Sequence, residues 1–309
     1  MDKVRELTVI SGKGGTGKTS LVATFAALAS AGGRRIVLAD CDVDASDLHL
    51  IMKPKIRKTM HFTGLKLASI SKKACTGCGK CARYCRFGAV IEPLKPSETY
   101  RIDPSRCEGC GVCGIVCPAG AVSLKDRYSG KAYLSVTRHG HMAHAELFPG
   151  EEASGKLVTM VRENARALAK KHTAELIIID GPPGTGCPVI ASIGGADLVL
   201  IVTEPTVSGI HDMERVLNVC SHFRVNATVC INKFDINIVK TRSIESYCRS
   251  GGIPVVGRIP YDRMMIDSIV NGVSLVEYAS EKRGSSVFKS VAAVWENLKT
   301  LLDFPAHAQ

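Results

Sequence analysis

A glycine-rich loop between an apolar strand and a helix constrains the fold of this chain more than any other segment. Residues 7–10 are apolar and β-rich, and residues 20–31 are rich in alanine and leucine. The loop between them has the pattern G-x-x-x-x-G-K-[ST], whose fixed positions are Gly12, Gly17, Lys18 and Thr19. In this strand-to-helix context the pattern predicts a phosphate-binding loop. We expect Lys18 to neutralise the phosphates and Thr19 to offer its hydroxyl to Mg²⁺.

Strand-like and helix-like segments alternate along most of the chain. Further strands are predicted at 35–40, 175–180, 197–202, 227–232 and 254–257, and helices near 156–172, 209–223, 239–250 and 284–302. This alternation predicts an α/β fold with a doubly wound, mostly parallel sheet. A cysteine-rich block at 70–128 interrupts the pattern. We interpret it as a domain inserted between the two parts of the P-loop domain, 1–69 and 129–309.

Eight of the 13 cysteines lie in that block and form two runs of C-x2-C-x2-C-x3-C. This is the bacterial ferredoxin pattern, in which the fourth cysteine of each run binds the other cluster. We assign one [4Fe–4S] cluster to Cys75, Cys78, Cys81 and Cys117, and the second to Cys107, Cys110, Cys113 and Cys85. Paired zinc sites are the alternative, although zinc knuckles do not repeat four cysteines at this spacing. The block therefore predicts a small ferredoxin-like α+β domain.

The formal net charge of +11 is concentrated in the first 128 residues, which hold 21 lysines and arginines against 11 acidic residues. Such asymmetry is typical of nucleic-acid binding, but aromatic residues are only 5% of the chain and offer little surface for base stacking. Each oxidised cluster with its thiolates would offset roughly two positive charges. The chain begins without a secretory leader and has no apolar run of membrane-spanning length. We therefore expect a cytoplasmic protein with neither a membrane nor a nucleic acid as its partner.

Lys13 places a second lysine directly after the first glycine of the loop. The resulting K-G-G-T-G-K-T sequence resembles the deviant Walker A loop of the MinD/ParA/Mrp and nitrogenase iron-protein class, and the resemblance covers nearly the whole chain outside the cysteine block. It implies ATP hydrolysis in a homodimer, where Lys13 of each chain reaches the phosphates bound to the other. It also implies a set of nucleotide-binding residues, namely Gly12, Gly14, Gly15, Thr16, Gly17, Lys18, Thr19, Ser20, Asp180, Asn232, Lys233 and Pro260.

The switch segments of that class also have counterparts here. Asp40 and Asp42 resemble the first switch, in which the second aspartate orients the attacking water or a magnesium-bound water, although Asp42 could instead be a solvated loop carboxylate. Asp180 resembles the Walker B carboxylate, and residues 181–184 resemble the second switch. With Lys13 and Lys18, Asp42 completes the predicted catalytic set.

The base that the site recognises is indicated by two conflicting signals. Residues 232–235 fit the N-K-x-D motif with which GTPases read guanine, whereas an asparagine at this strand end serves adenine in the MinD-like class. We favour ATP.

The complete arrangement resembles MinD-superfamily ATPases that carry an inserted ferredoxin domain. It favours a nucleotide-switched dimer that passes electrons through two [4Fe–4S] clusters to a redox or Fe–S acceptor protein. One alternative is an Mrp-type ATPase that assembles or carries clusters. Another is a ParA/MinD-like positioning ATPase with a redox-sensing ferredoxin domain.

Residues outside these motifs give weaker signals. His139, His141 and His144 have metal-like spacing, but on a strand the first two would face away from the third. Cys187 follows the second switch, where related proteins hold a bridging cluster, yet no partner cysteine is evident. We expect Cys187 to be a small buried residue.

Overall fold

The computed structural model describes residues 3–95, 98–151, 154–279 and 285–302. The chain divides into two compact units. The sheet unit comprises residues 1–60, 132–146 and 154–309, and the cysteine unit comprises residues 61–131 and 147–153.

The strands and helices follow in chain order. The strands are β1 (Arg5–Ser11), β2 (Ile36–Asp40), β3 (Lys55–Ile70), β4 (Val90–Ile91), β5 (Arg101–Ile102), β6 (Val122–Thr137), β7 (Gly140–Leu147), β8 (Leu176–Pro183), β9 (Leu198–Thr203), β10 (Ala227–Asn232) and β11 (Val255–Ile259). The helices are α1 (Lys18–Ala31), α2 (Leu48–Met52), α3 (Lys80–Arg83), α4 (Val112–Ile115), α5 (Ser154–Lys171), α6 (Cys187–Ile193), α7 (Val207–His222), α8 (Ile238–Ser250), α9 (Arg263–Val270), α10 (Leu275–Tyr278) and α11 (Ser286–Leu301).

In the described part of the chain, nine strands form one sheet in the order β11-β10-β9-β1-β8-β2-β7-β6-β3. Every neighbouring pair from β11 to β7 is parallel. The first strand, β1, lies between β8 and β9. Strand β2 is added on the β8 side of β1, and the later strands β9, β10 and β11 are added on its other side, so the strand order reverses at β1. Ligands of such sheets bind at the carboxyl end of the strands where the order reverses, and the glycine loop follows β1 there.

Apolar side chains on both faces of β9 explain why helices cover both sides of the sheet. Leu198, Leu200 and Val202 pack into a core with α1 and α11. Val199 and Ile201 point the other way, into a second core with α6, α7 and α8. A strand buried on both faces is typical of a parallel sheet between two helical layers. The predicted doubly wound, mostly parallel α/β sheet is therefore confirmed.

The structure also contains elements that the sequence pattern did not predict. Strands β3 and β6 are each 16 residues long, and β6 turns into β7 through residues 138–139. The first residues of β3 are mostly exposed and polar, so they lack the alternation that signals a strand. Among the helices of the described residues, none combines the length and apolar character needed to cross a membrane.

Within the cysteine unit, the two cysteine runs have the same backbone conformation, 32 residues apart. Gly77, Gly79 and Gly88 have φ angles of +70°, +71° and +60°, and their counterparts Gly109, Gly111 and Gly120 have +63°, +81° and +60°. Gly79 is the N-cap of α3, and Gly111 is the N-cap of α4. A Cβ at Gly109 would lie 2.0 Å from the carbonyl oxygen of Lys66, so only glycine fits there. The unit is thus built on an internal repeat.

Candidate functional site

The glycine loop joins β1 to α1 and is shaped by close packing against two other segments. Gly15 and Gly17 have positive φ angles of +79° and +89°, which favour glycine. A Cβ at Gly12 would lie 2.3 Å from the Cβ of Asp212, and one at Gly17 would lie 2.6 Å from Nδ2 of Asn232. Gly17 caps α1 without any side-chain hydrogen bond, so the first N–H groups of the helix are available to an anion.

Lys18 connects the loop to the predicted Walker B carboxylate and to the second aspartate of the predicted first switch. Its side chain is 6% exposed, and its Nζ lies 2.8 Å from Oδ1 of Asp180 and 3.4 Å from Oδ2 of Asp42. Burial opposes the charged form, but the attraction of Asp180 and Asp42 prevails and raises the pKa of Lys18. Three predicted residues from distant parts of the sequence are therefore brought together, and Lys18 stays protonated.

Asp40 is a buried carboxyl group beside this cluster. Ser46 Oγ donates to its Oδ2 at 2.6 Å, and the backbone N–H of Asp42 donates to its Oδ1 at 3.2 Å. Burial, followed by the nearby charge of Asp180, raises the pKa of Asp40 to about 8. The two aspartates of the first switch thus differ: Asp42 contacts Lys18, whereas Asp40 retains a proton at neutral pH.

Two buried polar atoms at this site have no hydrogen-bond partner among the described residues. They are Oδ2 of Asp180 and Oγ1 of Thr16. Buried polar atoms are nearly always paired, so an unpaired carboxylate oxygen and an unpaired hydroxyl indicate a place that a polar ligand completes. Thr19 is the second residue of α1 and is half-buried, and the neighbouring Ser20 is buried. The donor set of Thr19 hydroxyl and Asp180 carboxylate fits a magnesium ion held through oxygen atoms and water.

Glu204 is a site residue that the sequence interpretation missed. Its carboxylate lies 3.2 Å from Nζ of Lys13 and 2.5 Å from Nζ of Lys233. Lys13 Nζ is also 3.4 Å from the hydroxyls of Thr206 and Ser208. Burial would raise the pKa of Glu204, but the two lysines lower it below its usual range. The sequence feature that could have identified Glu204 is its position: it is an acidic residue directly after β9, at the same sheet edge as the glycine loop.

The residues assigned to base recognition connect the glycine loop to the loop after β11. Asn232 Nδ2 donates to the carbonyl of Thr16 at 2.8 Å, and its Oδ1 accepts from the N–H of Lys233 at 3.0 Å. Asp235 Oδ1 accepts from the N–H of Tyr261 at 2.7 Å. Pro260 precedes Tyr261 and is half-buried. One oxygen of the N-K-x-D aspartate is therefore already used by the backbone.

Two cavities in the cysteine unit are lined by the two predicted sets of four cysteines. The first contains Cys75, Cys78, Cys81 and Cys117. The second contains Cys85, Cys107, Cys110 and Cys113. Each cavity thus receives three cysteines from one run and the fourth from the other. The remaining lining is mostly apolar, and the N–H of Ala121 donates to Sγ of Cys117 at 3.3 Å.

The cysteines line these cavities without meeting at one point. Across the residues that the structure describes, no group of three or more histidine, cysteine or acidic side chains converges closely enough to hold a single metal ion. The thiolates of a cubane bind four separate iron atoms, so this spread is compatible with a cluster, whereas a tetrahedral zinc site requires convergence. Burial raises the pKa of Cys81 and of Cys113.

The three clustered histidines have separate partners. His144 is buried with Nε2 2.9 Å from Ser135 Oγ, and burial lowers its pKa to about 4. His141 stacks on His172 with ring centroids 3.6 Å apart, and Nε2 of His139 lies 3.7 Å from Glu277. The three rings thus have separate neighbours, but Nε2 of His139 is buried without a hydrogen-bond partner among the described residues.

The remaining cysteines divide by burial. Cys41, Cys220, Cys230 and Cys248 are buried. The expectation that Cys187 is buried is wrong, because its side chain is exposed at the start of α6. Residues 184–187, which link β8 to α6, are all half-buried or exposed, so this position lies at the surface.

The parallel sheet, the glycine loop after its central strand and the buried lysine between two aspartates define a P-loop nucleotide-binding α/β protein. The chain belongs to the CobQ/CobB/MinD/ParA nucleotide-binding domain family, whose family model matches residues 7–275.

Proteins similar to this chain match it over almost its full length. The chain is 33% identical over 299 residues to the uncharacterized protein MJ0578 of Methanocaldococcus jannaschii, covering 97% of this chain and 98% of that protein. It is 27% identical over 281 residues to the uncharacterized protein MJ0579 of the same organism, covering 90% and 94%. The fold is similar to that of the septum site-determining protein MinD of Pyrococcus horikoshii, solved with Mg-ADP, with a TM-score of 0.61, 15% identity and coverage of 99% and 100%.

Proposed function

We propose that this chain is a nucleotide-switched ATPase that works as a homodimer and couples ATP hydrolysis to electron transfer through two [4Fe–4S] clusters. The observation that carries the proposal is the pair of cavities, each lined by three cysteines of one run and one of the other. The reducing cytoplasm is the compartment in which such thiolates persist.

Nucleotide binding follows from the charges around Lys18. The ammonium group is neutralised by Asp180 and Asp42 in this structure. Entry of a nucleotide phosphate offers Lys18 a stronger anion, and the carboxylates that it leaves are then free to balance Mg²⁺ held by Thr19 and phosphate oxygens. This exchange keeps the buried charges paired before and after binding. The fold shared with a MinD that binds Mg-ADP supports the assignment.

Hydrolysis requires a carboxylate that orients water near the terminal phosphate. Asp42 is the proposed residue, because it is held next to Lys18 and its backbone lies beside Asp40. Burial raises the pKa of Asp42, and Lys18 opposes that effect. When Lys18 moves to the phosphates, Asp42 becomes a better proton acceptor for a bound water.

The proposed dimer depends on Lys13. Its side chain is 33% exposed and is held by Glu204 and two hydroxyls within its own chain. A lysine in a half-exposed ion pair can exchange partners at small cost. Transfer of Lys13 to the phosphates on a second chain would therefore favour closure only when ATP is bound.

Adenine is the proposed base. Reading the two N–H donors of guanine through N-K-x-D takes both oxygens of the aspartate carboxylate, and Oδ1 of Asp235 already accepts the N–H of Tyr261. Asn232, positioned against Thr16, is the residue that we assign to the adenine side of the pocket.

The cysteine unit has the features expected of a ferredoxin. Its two runs share one backbone conformation, and its cavities are lined by thiols and apolar side chains. Bound clusters would supply one-electron transfer at low potential. The protein would contribute eight thiolates, a lining that excludes water, and N–H groups such as that of Ala121 directed at sulfur.

Metal analysis of anaerobically purified protein tests this part of the proposal. We expect about eight iron and eight sulfide per chain and a cubane EPR signal after reduction. Cys78→Ala should reduce the iron content, whereas Cys187→Ala, which removes an exposed thiol outside the cavities, should not. Stoichiometric zinc without an EPR signal would overturn the proposal.

A further inference from the structure

The charge around the two cysteine runs is strongly asymmetric. Five cations lie within three residues of a cysteine of the first run: Lys72, Lys73, Lys80, Arg83 and Arg86. No acidic residue occurs between positions 61 and 91. The second run has Arg106 alone at comparable distance, and Arg106 pairs with Asp103 at 3.6 Å and is followed by Glu108. The positive charge therefore belongs to the first run.

These five cations are free to act on a partner. We call them the basic face. All five are exposed, and none forms an ion pair with another described residue. Even after subtracting roughly two negative charges for a neighbouring oxidised cluster, the segment stays positive. A protein does not gain stability from unpaired like charges at this density, so they indicate selection for an anionic partner.

The basic face also exposes apolar surface and thiols. Tyr84 and Phe87 are 55% and 47% exposed, and Phe87 lines the cavity that contains Cys85. Cys78 is itself exposed. Exposed positive charge beside exposed apolar side chains, in the segment that supplies the cavity cysteines, is a combination that steers a protein partner and then excludes water from the contact.

We propose that the basic face is the docking surface for an acidic one-electron redox protein. The inference rests on the proposed function, because it assumes clusters in the two cavities. In each encounter the chain loses or gains one electron and the partner's centre gains or loses one, with no proton or bond transferred. Nucleic acid is disfavoured, because aromatic residues are only 5% of the chain and offer little surface for base stacking.

Binding of charge-matched probes tests the proposal. Cytochrome c and fully succinylated cytochrome c share one fold but have opposite charge. At about 20 mM salt, the full-length, iron-loaded protein should bind the succinylated form at least about tenfold more tightly than the native form, and about 0.5 M salt should remove the difference. Carbodiimide cross-links, mapped by mass spectrometry, should involve Lys72, Lys73 or Lys80.

Charge reversals locate the contact. Lys72→Glu/Lys73→Glu and, separately, Lys80→Glu/Arg83→Glu should each weaken binding of succinylated cytochrome c about tenfold. The matched control Arg242→Glu/Arg249→Glu changes the net charge equally at exposed positions of α8, in the sheet unit, and should have less than a threefold effect. Iron is measured on every variant.

The outcomes separate the inference from the proposed function. Equal losses in the variants and the control, or cross-links elsewhere, would overturn the docking surface while iron content stays at eight. Loss of duplex DNA or phosphatidylglycerol vesicle binding in the variants, with cytochrome binding unchanged, would replace the partner by a nucleic acid or a membrane. Absence of iron in the unmodified protein would overturn the proposed function and the redox role of this face together.

Discussion

Asp40→Asn should remove a large part of the pH dependence of stability. Asp40 is fully buried, and burial together with Asp180 raises its pKa from 3.8 to about 8. Between these values the folded chain holds one more proton at this position than the unfolded chain. Stability therefore falls as pH rises through this range, by up to 1.36 kcal/mol per pH unit. The whole interval from 3.8 to about 8 corresponds to about 6 kcal/mol at most.

Urea unfolding of the wild type and of Asp40→Asn, between pH 5 and pH 8.5, measures this pH dependence of stability. At pH 5 the two should be similar, because asparagine resembles the protonated acid in shape: its oxygen can accept the N–H of Asp42 while its amide N–H donates to the hydroxyl of Ser46. At pH 8.5 the variant should be more stable by several kcal/mol. Asp126→Asn, at an exposed position, serves as the control. Parallel pH profiles for the wild type and Asp40→Asn would refute the reasoning. Saturating Mg-ADP should flatten the wild-type profile, because a nearby cation favours the ionised carboxylate.

The remaining predictions concern the loop. Lys18→Ala should abolish nucleotide binding in calorimetry, and tight binding by the variant would contradict the proposed role of Lys18. The same variant should lose about 3–5 kcal/mol of stability, because it leaves two buried carboxylates unpaired. Lys13→Ala should retain binding but slow hydrolysis and ATP-dependent dimerisation in ultracentrifugation, and a normal ATP-dependent dimer would refute the sandwich arrangement. Gly12→Ala, whose Cβ would overlap Asp212, should cost about 1–3 kcal/mol, whereas Gly14→Ala, with nothing within 4 Å, should cost less.

The sheet could be predicted because its strands have a clear local signature. The sequence segments that form β1, β2, β8, β9 and β10 are apolar on both faces. Such a segment is typical of a central strand in a parallel sheet. Strand β3 has no such signature, because much of its surface is exposed and its pairing is set by neighbouring strands.

The candidate site was predictable only where one residue type is required by the chemistry. The contact of Lys18 with Asp180 links residues 162 positions apart, and the motifs predicted both. Glu204 was missed, because its importance comes from Lys13 and Lys233 meeting it at the sheet edge. The prediction for Cys187 was wrong, because its position at the exposed start of α6, rather than its residue type, determines its exposure. The cluster ligands and the domain boundaries stay predictions.

Coupling between nucleotide and clusters is the central claim, and one measurement tests it most directly. Asp42→Asn should slow hydrolysis, so that equilibrium ATP affinity can be measured anaerobically with the clusters oxidised and then reduced. If the two sites are coupled, reduction changes ATP affinity by about 5–150-fold, and ATP shifts the cluster potential by the same free energy. Affinities that are equal within error, in protein holding its full iron content, would contradict the account and favour a cluster carrier.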